Sequence, residues 1–333
     1  FNGEVPTGMV EKMFNYGRYL LLTSSRPGSW PANLQGLWNG EYKPAWSSDY
    51  HNDENIQMNY WPALPGNLQE TLVAYCDFFE ACIPDMQRNA KRIYGCRGIA
   101  APIGQDVKGR AMPPHGWGAC WISGAGWLAQ PFFDYWLFTQ DDTFLQERAI
   151  PFLEQVALFY EDYLFERDGE LVFSPSLSPE NRPRRGDGTQ IGGFASINAT
   201  MDVAVAKEVL TNLCQGCRHL GIKPEQVQLW QGMIDRMPAY RVNKDGAMEE
   251  WLHPDLYDNY AHRHLSHIYP LFPGSEITAE MSPTLFEACR VAVEKRRTIG
   301  QAAQSGWSLA HLANVYARLN DGENALTCLN TLI

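Results

Sequence analysis

The loop at residues 174–181 presents one carboxylic acid in a setting typical of a general acid. It reads Ser-Pro-Ser-Leu-Ser-Pro-Glu-Asn after Phe173, so two prolines stiffen the backbone that leads to Glu180. A carboxyl group on a rigid, aromatic-flanked loop can be shielded from water, which raises its pKa and keeps it protonated. A helix-entry loop with a glutamate in its first turn would have a similar sequence. The loop alone leaves both interpretations open.

A second polar segment, residues 46–61, concentrates hydrogen-bonding side chains within a few positions. They are Asp49, His51, Asn52, Asp53, Glu54, Asn55, Gln57 and Asn59. A helix N-terminus uses one or two such residues as caps, and Asn52 or Asp53 could serve here. Because capping leaves the other side chains unassigned, we predict that this segment contributes to a polar site.

A third segment, residues 262–274, begins with His262, Arg263 and His264 and continues to His267. The last two histidines are three residues apart, a spacing compatible with zinc, but no glutamate completes a metalloprotease-like pattern. We therefore predict no metal. The histidines are expected either to contact ligand hydroxyl groups or to pack as neutral imidazoles beneath a pocket.

Shorter motifs lie between these segments. They are Pro-His-Gly-Trp at 114–117, Asn-Ala-Thr-Met-Asp at 198–202, Glu-Glu-Trp at 249–251 and Ser-Gly-Trp-Ser at 305–308. Each could be purely structural, but their joint occurrence favours a shared site.

The elements that must position these residues are predicted to be helices, because apolar residues recur at helical spacing and strand-like alternation is scarce. Only short pieces such as residues 171–173 look extended. The predicted helices cover roughly 8–23, 55–62, 68–82, 85–93, 120–139, 143–165, 197–219, 224–236, 276–296, 303–319 and 322–333.

The connections between these helices are long and irregular, and no fixed repeat period is visible, which favours a closed ring of helical hairpins over a solenoid. The polar motifs fall mainly in the loops. In a helical barrel such loops can gather at one rim and form a cleft.

Composition narrows the function further. The net charge of −11 over 333 residues disfavours nucleic-acid binding, which needs clustered cations. No apolar run is long enough to span a bilayer. The 11 Trp, 15 Tyr and 15 Phe residues mostly serve core packing, but those beside polar motifs suit the apolar faces of sugars. The eight cysteines, including Cys214 and Cys217, lack the regular spacing of a disulfide scaffold, and most are predicted to be buried thiols.

Several of these motifs together resemble glycoside hydrolase family 95, the family of 1,2-α-L-fucosidases and related α-L-galactosidases. They occur in the family's order and span nearly the whole chain. The segments that carry the resemblance are 31–39, 57–62, 174–181, 200–202, 262–274, 306–310 and 317–322.

The resemblance implies an (α/α)6 barrel, here one helical domain over residues 1–333 that lacks the last hairpin, normally flanked by β domains. It implies hydrolysis of a terminal α-L-fucosyl or α-L-galactosyl residue of a glycan, with inversion and without a cofactor. Glu180 corresponds to the family's general acid. Asp53 and Asn55 correspond to the two asparagines that bind the attacking water. The residues expected to shape the sugar pocket are Trp38, His51, His115, His262, His264 and Trp307.

The chain departs from the family in two places. Asp53 replaces the first water-binding asparagine, and no Asp-Gly-Asn-Phe-Gly stretch, whose aspartate polarises the water-binding amide in the family, occurs before Ile333. One hypothesis is that Asp53 itself acts as the base, since an inverting glycosidase needs an acid and a separate base. The other is that the chain is a fragment. Its start at Phe1, without an initiator Met or a signal peptide, suggests a mature or excised segment. The predicted glycosidase function implies a secreted or periplasmic location.

Two further function classes stay open. A carbohydrate-binding protein that kept the barrel and lost catalysis would explain both departures. Another (α/α)6 enzyme, such as an α-L-rhamnosidase or a disaccharide phosphorylase, could share the architecture. A phosphorylase would require an anion site, and the sequence shows no clear basic cluster for one.

Overall fold

The helices form where the apolar periodicity predicts them, which confirms the all-α fold class. The computed structural model describes residues 6–112 and 116–332, so His115 lies outside the described residues. The helices are α1 (Thr7–Ser24), α2 (Asn55–Tyr60), α3 (Gln69–Asn89), α4 (Gly124–Thr139), α5 (Asp142–Phe144), α6 (Ile150–Tyr163), α7 (Thr200–Leu220), α8 (Pro224–Ile234), α9 (Pro283–Ile299), α10 (Gly306–Arg318) and α11 (Gly322–Leu332).

The described residues divide into two compact units. The first unit comprises residues 6–112, 116–164 and 209–235, and the second comprises residues 165–208 and 236–332. The prediction of a single domain over the whole chain stays a prediction.

The core of the first unit is built by α3, α4 and α6. Helix α4 is apolar on almost every side and buried through most of its length, as expected for a helix inside a core. Phe132 of α4 stacks on Phe152 of α6 with ring centroids 4.4 Å apart. Tyr75 of α3 is buried beside them and donates a hydrogen bond of 3.0 Å to the carbonyl of Leu128. These contacts make a rigid support for the loops that follow.

Two short strands fix the polar segment of the first unit. Strand β1 (Tyr50–His51) pairs antiparallel with β2 (Gly104–Gln105), with His51 opposite Gly104. The chain leading to β2 lies against α6 at Gly98, which has a φ of +67°. A Cβ atom there would lie 2.1 Å from the carbonyl oxygen of Gln155, so only glycine permits this approach.

The second unit is held together by α9, α10 and α11. Helix α10 begins with a capping box in which Ser305 and Ser308 satisfy each other's backbone N–H groups. Strands β3 (Phe165–Arg167) and β4 (Glu170–Val172) form a hairpin, which confirms the extended piece predicted near residue 171. The buried core includes Leu265, Ile268, Leu271, Phe286, Cys289, Val293, Leu312, Val315, Tyr316 and Leu319.

The largest differences from the predicted helix boundaries are at α3 and α9. Helix α3 runs unbroken through Pro84, where the sequence predicted an interruption, because buried residues such as Phe79 and Met86 pack on both sides of the proline. Helix α9 begins only at Pro283, a residue favoured in the first turn, and not at 276.

The cysteine prediction is confirmed. None of the eight cysteines, all of which lie among the described residues, forms a disulfide bond, and all but the half-buried Cys120 are buried. Burial raises the pKa of the Cys217 thiol to about 11 and also raises that of Cys214, so both stay protonated and inert. Among the described residues, no helix is long and apolar enough to cross a membrane.

Candidate active site

Asn52 locks the polar segment of the first unit onto the backbone around β2. Its N–H donates to the carbonyl of Ile103 at 2.6 Å. Its side-chain amide donates to the carbonyl of Pro102 at 2.8 Å and to Gln105 Oε1 at 2.9 Å. The asparagine is therefore a structural anchor for the residues on either side of it.

His51 lies between two carboxylates. Its Nδ1 is 3.1 Å from Asp49 Oδ1, and its Nε2 is 3.3 Å from Asp53 Oδ1. The three side chains are 7%, 2% and 1% exposed, so water competes little for these contacts. A carboxylate held by an imidazole whose far nitrogen is itself anchored has a fixed orientation, which a group that activates water requires.

The backbone at Glu54 is strained. This buried residue has a φ of +144°, which residues with a side chain rarely adopt, and it lies directly between Asp53 and Asn55. Such conformations persist where the surroundings fix them and are concentrated at functional sites. The half-buried Asn55 follows as the first residue of α2, whereas Trp38 is 58% exposed.

The candidate acid in the second unit contacts the histidine-rich segment. Glu180 Oε2 is 2.7 Å from Arg263 Nη2 and 3.4 Å from His264 Nε2. The Ser266 hydroxyl donates to the carbonyl of Pro179, directly before the glutamate. The Glu180 side chain is 23% exposed, so its carboxyl group is shielded without being sealed off.

An aromatic wall stands beside this carboxyl group. The rings of His264 and Trp307 meet edge to face with centroids 4.6 Å apart, and the His262 ring is 5.3 Å from that of His264. The Arg263 guanidinium lies 5.9 Å from the centre of the Trp307 ring. The second unit thus brings together four residues that the sequence singled out separately, including Glu180. Arg263 was missed as a candidate, and its position between two candidate histidines was the only signal.

The two other histidines of the segment are neutral. Burial lowers the pKa of His262 to about 2, with His264, Arg296 and Arg263 adding to the effect. Burial also lowers the pKa of His267 well below its ordinary value, with a further contribution from Arg296. Of the two roles predicted for these histidines, neutral packing describes His267.

These depressed pKa values predict that the free energy of unfolding falls in acid. The unfolded histidines take up protons below their ordinary pKa of 6.5, whereas folded His262 and His267 do not. Stability is therefore fully present above about pH 6.5 and lost as the pH falls, by up to ~1.4 kcal/mol per pH unit for each histidine. Urea unfolding between pH 7 and about pH 5 measures this slope. The His267→Gln variant should have a shallower slope, and a slope equal to that of the wild type would contradict the assignment.

A pocket of about 320 Å³ also opens in the second unit, and Glu180 is not among its lining residues. Arg241 is paired with Glu249 at 3.2 Å, and Arg184 donates to the side-chain oxygen of Asn259. The cationic side chains that line the pocket outnumber its carboxyl groups by one. Its cations are Arg184, Arg185, Arg241 and Lys244, and its carboxylates are Asp245, Glu249 and Asp258.

Comparison with known proteins identifies a family. The model of the glycosyl hydrolase family 95 catalytic domain matches residues 2–333. The chain is 36% identical to Alpha-L-fucosidase 2 of Arabidopsis thaliana over 98% of its length, and covers 38% of that protein. It is 29% identical to Probable alpha-fucosidase A of Aspergillus niger over 96% of its length, and covers 41% of that protein. The chain thus spans about two fifths of the length of these relatives.

The fold has a likeness among solved structures. The match to a protein described as "Putative kojibiose phosphorylase from human microbiome" covers 96% of this chain and 53% of that protein's chain, with a TM-score of 0.61. At 12% identity this likeness shows the fold alone.

Proposed function

This chain belongs to glycoside hydrolase family 95, and on that premise we propose that the protein carrying it hydrolyses terminal α-L-fucosyl residues of glycans with inversion at the anomeric carbon. Two relatives that it resembles over almost its whole length are named as α-fucosidases. Flanking β domains and a secreted or periplasmic location are further proposals that rest on the family resemblance.

Glu180 is proposed as the general acid that protonates the leaving oxygen. The observation that carries this assignment is the convergence of its carboxyl group with Arg263, His264 and Trp307. The indole offers an apolar surface for one face of a sugar ring, while the cation and the imidazole offer hydrogen bonds to its hydroxyl groups. In this proposal, the glycosidic oxygen of a bound substrate lies within reach of the Glu180 carboxyl group.

The contact with Arg263 sets a condition on this mechanism. A guanidinium 2.7 Å from a carboxylate favours the ionised form, whereas a general acid must carry a proton. We propose that a bound fucosyl residue takes over hydrogen bonds of Arg263, which weakens the ion pair and allows Glu180 to be protonated.

Asp53 and Asn55 are proposed to act on the attacking water. Asp53 takes a proton from this water as its oxygen bonds to the anomeric carbon, while the bond to the leaving oxygen breaks and Glu180 protonates that oxygen. Afterwards Asp53 releases its proton to solvent and Glu180 regains one. The contact with His51, itself held by Asp49, keeps the Asp53 carboxylate in one orientation.

A substrate panel tests the proposed function. The protein should release sugar from an α-L-fucosyl oligosaccharide and from 4-nitrophenyl α-L-fucoside, with lower kcat/KM on the α-L-galactoside. The rate should be the same with and without inorganic phosphate, because water is the acceptor. Release of rhamnose alone, or turnover that requires phosphate, would assign a different reaction. Binding of fucosyl glycans without release would favour the non-catalytic alternative.

A further inference from the structure

A buried carboxylate holds the loop of the candidate acid. Glu250 is 0% exposed and lies outside the segments that carry the family resemblance. Its Oε1 accepts the hydroxyl hydrogen of Ser178 at 2.8 Å, and its Oε2 accepts from the Asn181 side-chain amide at 2.8 Å. The Glu250 carboxylate therefore holds the loop at two positions, two residues before Glu180 and one residue after it.

A second set of hydrogen bonds supports the contact between Glu250 and the loop. The Asn181 side chain exchanges hydrogen bonds with Asn259, donating to its carbonyl and accepting from its amide, each at 3.0 Å. The backbone N–H of Glu250 donates to Asp258 Oδ1 at 2.7 Å. Glu250 and Asn181 are thus tied to two adjacent residues, 258 and 259.

The start of the loop, at residues 176–177, is held by a separate carboxylate. Asp202, also buried, accepts the Ser176 hydroxyl at 2.6 Å and the Leu177 N–H at 3.0 Å. With the start and both flanks of the loop fixed, the backbone at Glu180 is held in place, and the contacts with Arg263 and His264 hold its carboxyl group.

Glu250 is ion-paired with Arg296, whose Nη2 is 2.8 Å from Oε2 and whose side chain is 1% exposed. Such a pair costs more desolvation than it returns in stability in many proteins, where apolar replacements are neutral or stabilising. An apolar residue at position 250 would, however, provide no acceptor for Ser178 or Asn181. The ion pair is therefore better explained by the contacts of Glu250 with Ser178 and Asn181 than by a contribution to the stability of the fold.

We infer that Glu250 is a positioning residue, which fixes the acid Glu180 through Ser178 and Asn181 and is itself held by Arg296. This inference rests on the proposed role of Glu180 as the acid. Glu250 touches no reacting atom and acts only through the loop and through its charge.

The charge of Glu250 gives the inference a distinctive readout. Its negative charge favours the protonated form of Glu180, and without it the positive charge of Arg296 is uncompensated and favours the ionised form. In the second unit, the other groups facing Glu180 are Arg263 and His264, with neutral His262 behind them. Asp258 faces Glu250. Loss of the Glu250 charge should therefore move the basic limb of the kcat profile, where the acid loses its proton, to lower pH.

The Glu250→Gln variant tests this directly on an α-L-fucosyl oligosaccharide. The glutamine keeps the shape and can keep its oxygen towards the Asn181 and Arg296 donors, with its amide facing the Ser178 hydroxyl, so the variant removes the charge and reverses the hydrogen bond to Ser178. We expect kcat to fall roughly tenfold to a hundredfold, because a small misplacement of a catalytic group has an effect of this size, and KM to change little. The basic limb should shift to lower pH, which a purely structural role would not produce.

Glu249→Gln is the matched control. It makes the same chemical change one residue earlier, at a half-buried side chain paired with Arg241 instead of with the loop. Its kcat, KM and pH profile should equal those of the wild type.

A folded Glu250→Gln protein with wild-type kcat and an unshifted basic limb would overturn the inference. If this variant does not fold, the Ser178→Ala and Asn181→Ala variants test the inference instead, since both leave the ion pair between Glu250 and Arg296 in place. Lowered kcat in these two supports the inference, and wild-type kcat in both overturns it. Failure of the proposed acid would look different, because the Glu180→Gln protein would then itself be active.

Discussion

Replacement of Glu180 by glutamine is expected to lower kcat on a sugar-linked α-L-fucoside by roughly 10²–10⁴-fold, the usual contribution of a positioned acid. The amide matches the carboxyl group in size but cannot donate a proton to the leaving oxygen. KM should change little, because the aromatic wall and Arg263 remain. Steady-state kinetics of the folded variant measure both quantities.

The leaving group provides the internal control for this variant. A 2,4-dinitrophenyl α-L-fucoside releases a phenolate that needs no proton, so the Glu180→Gln protein should lose far less activity on it. An equal loss on both substrates would mean that the substitution damages binding or folding instead of proton donation. Wild-type turnover on the sugar-linked substrate would reject Glu180 as the acid.

Asp53→Asn is expected to lower kcat by a similar factor, roughly 10²–10⁴-fold, if Asp53 is the base. The asparagine keeps the volume and can still bond to His51, but it cannot take a proton from water. Azide, an anionic nucleophile that needs no deprotonation, should restore turnover in this variant and not in Glu180→Gln. The matched control is Asp255→Asn, the same change at an exposed side chain outside the polar segments, which should have wild-type kinetics.

Full activity of the Asp53→Asn protein would reject Asp53 as the base. The substitution restores the asparagine that the family has at this position. Full activity would therefore favour a base supplied from outside residues 1–333. The row of Asp49, His51 and Asp53 would then serve to orient the neighbouring Asn55 and not to accept a proton.

The sequence predicted the helices well because their apolar periodicity is a local property. Its errors were at boundaries where tertiary packing decides. Burial around Phe79 and Met86 carries α3 through Pro84, and residues 276–282 stay outside α9, which begins at Pro283. The closure of the hairpins into a barrel stays a prediction.

The candidate residues were predictable, but their partners were not. The loop of Glu180 was conspicuous for its two prolines, and the histidine-rich segment for its composition. Their contact through Arg263 joins residues that lie 83 positions apart, which no local pattern reveals. The motif containing Glu250 was noted only as a short polar piece. Its importance depends on Ser178 and Asn181, which lie 72 and 69 positions away.

Proton NMR of the sugar released by the protein from an α-L-fucosyl oligosaccharide distinguishes inverting hydrolysis from the other reactions. We expect β-L-fucose to appear first and the α anomer to follow only at the rate of mutarotation, because a single displacement by water inverts the anomeric carbon. First appearance of α-L-fucose would contradict the inverting mechanism, and the absence of any released fucose would contradict the proposed activity itself.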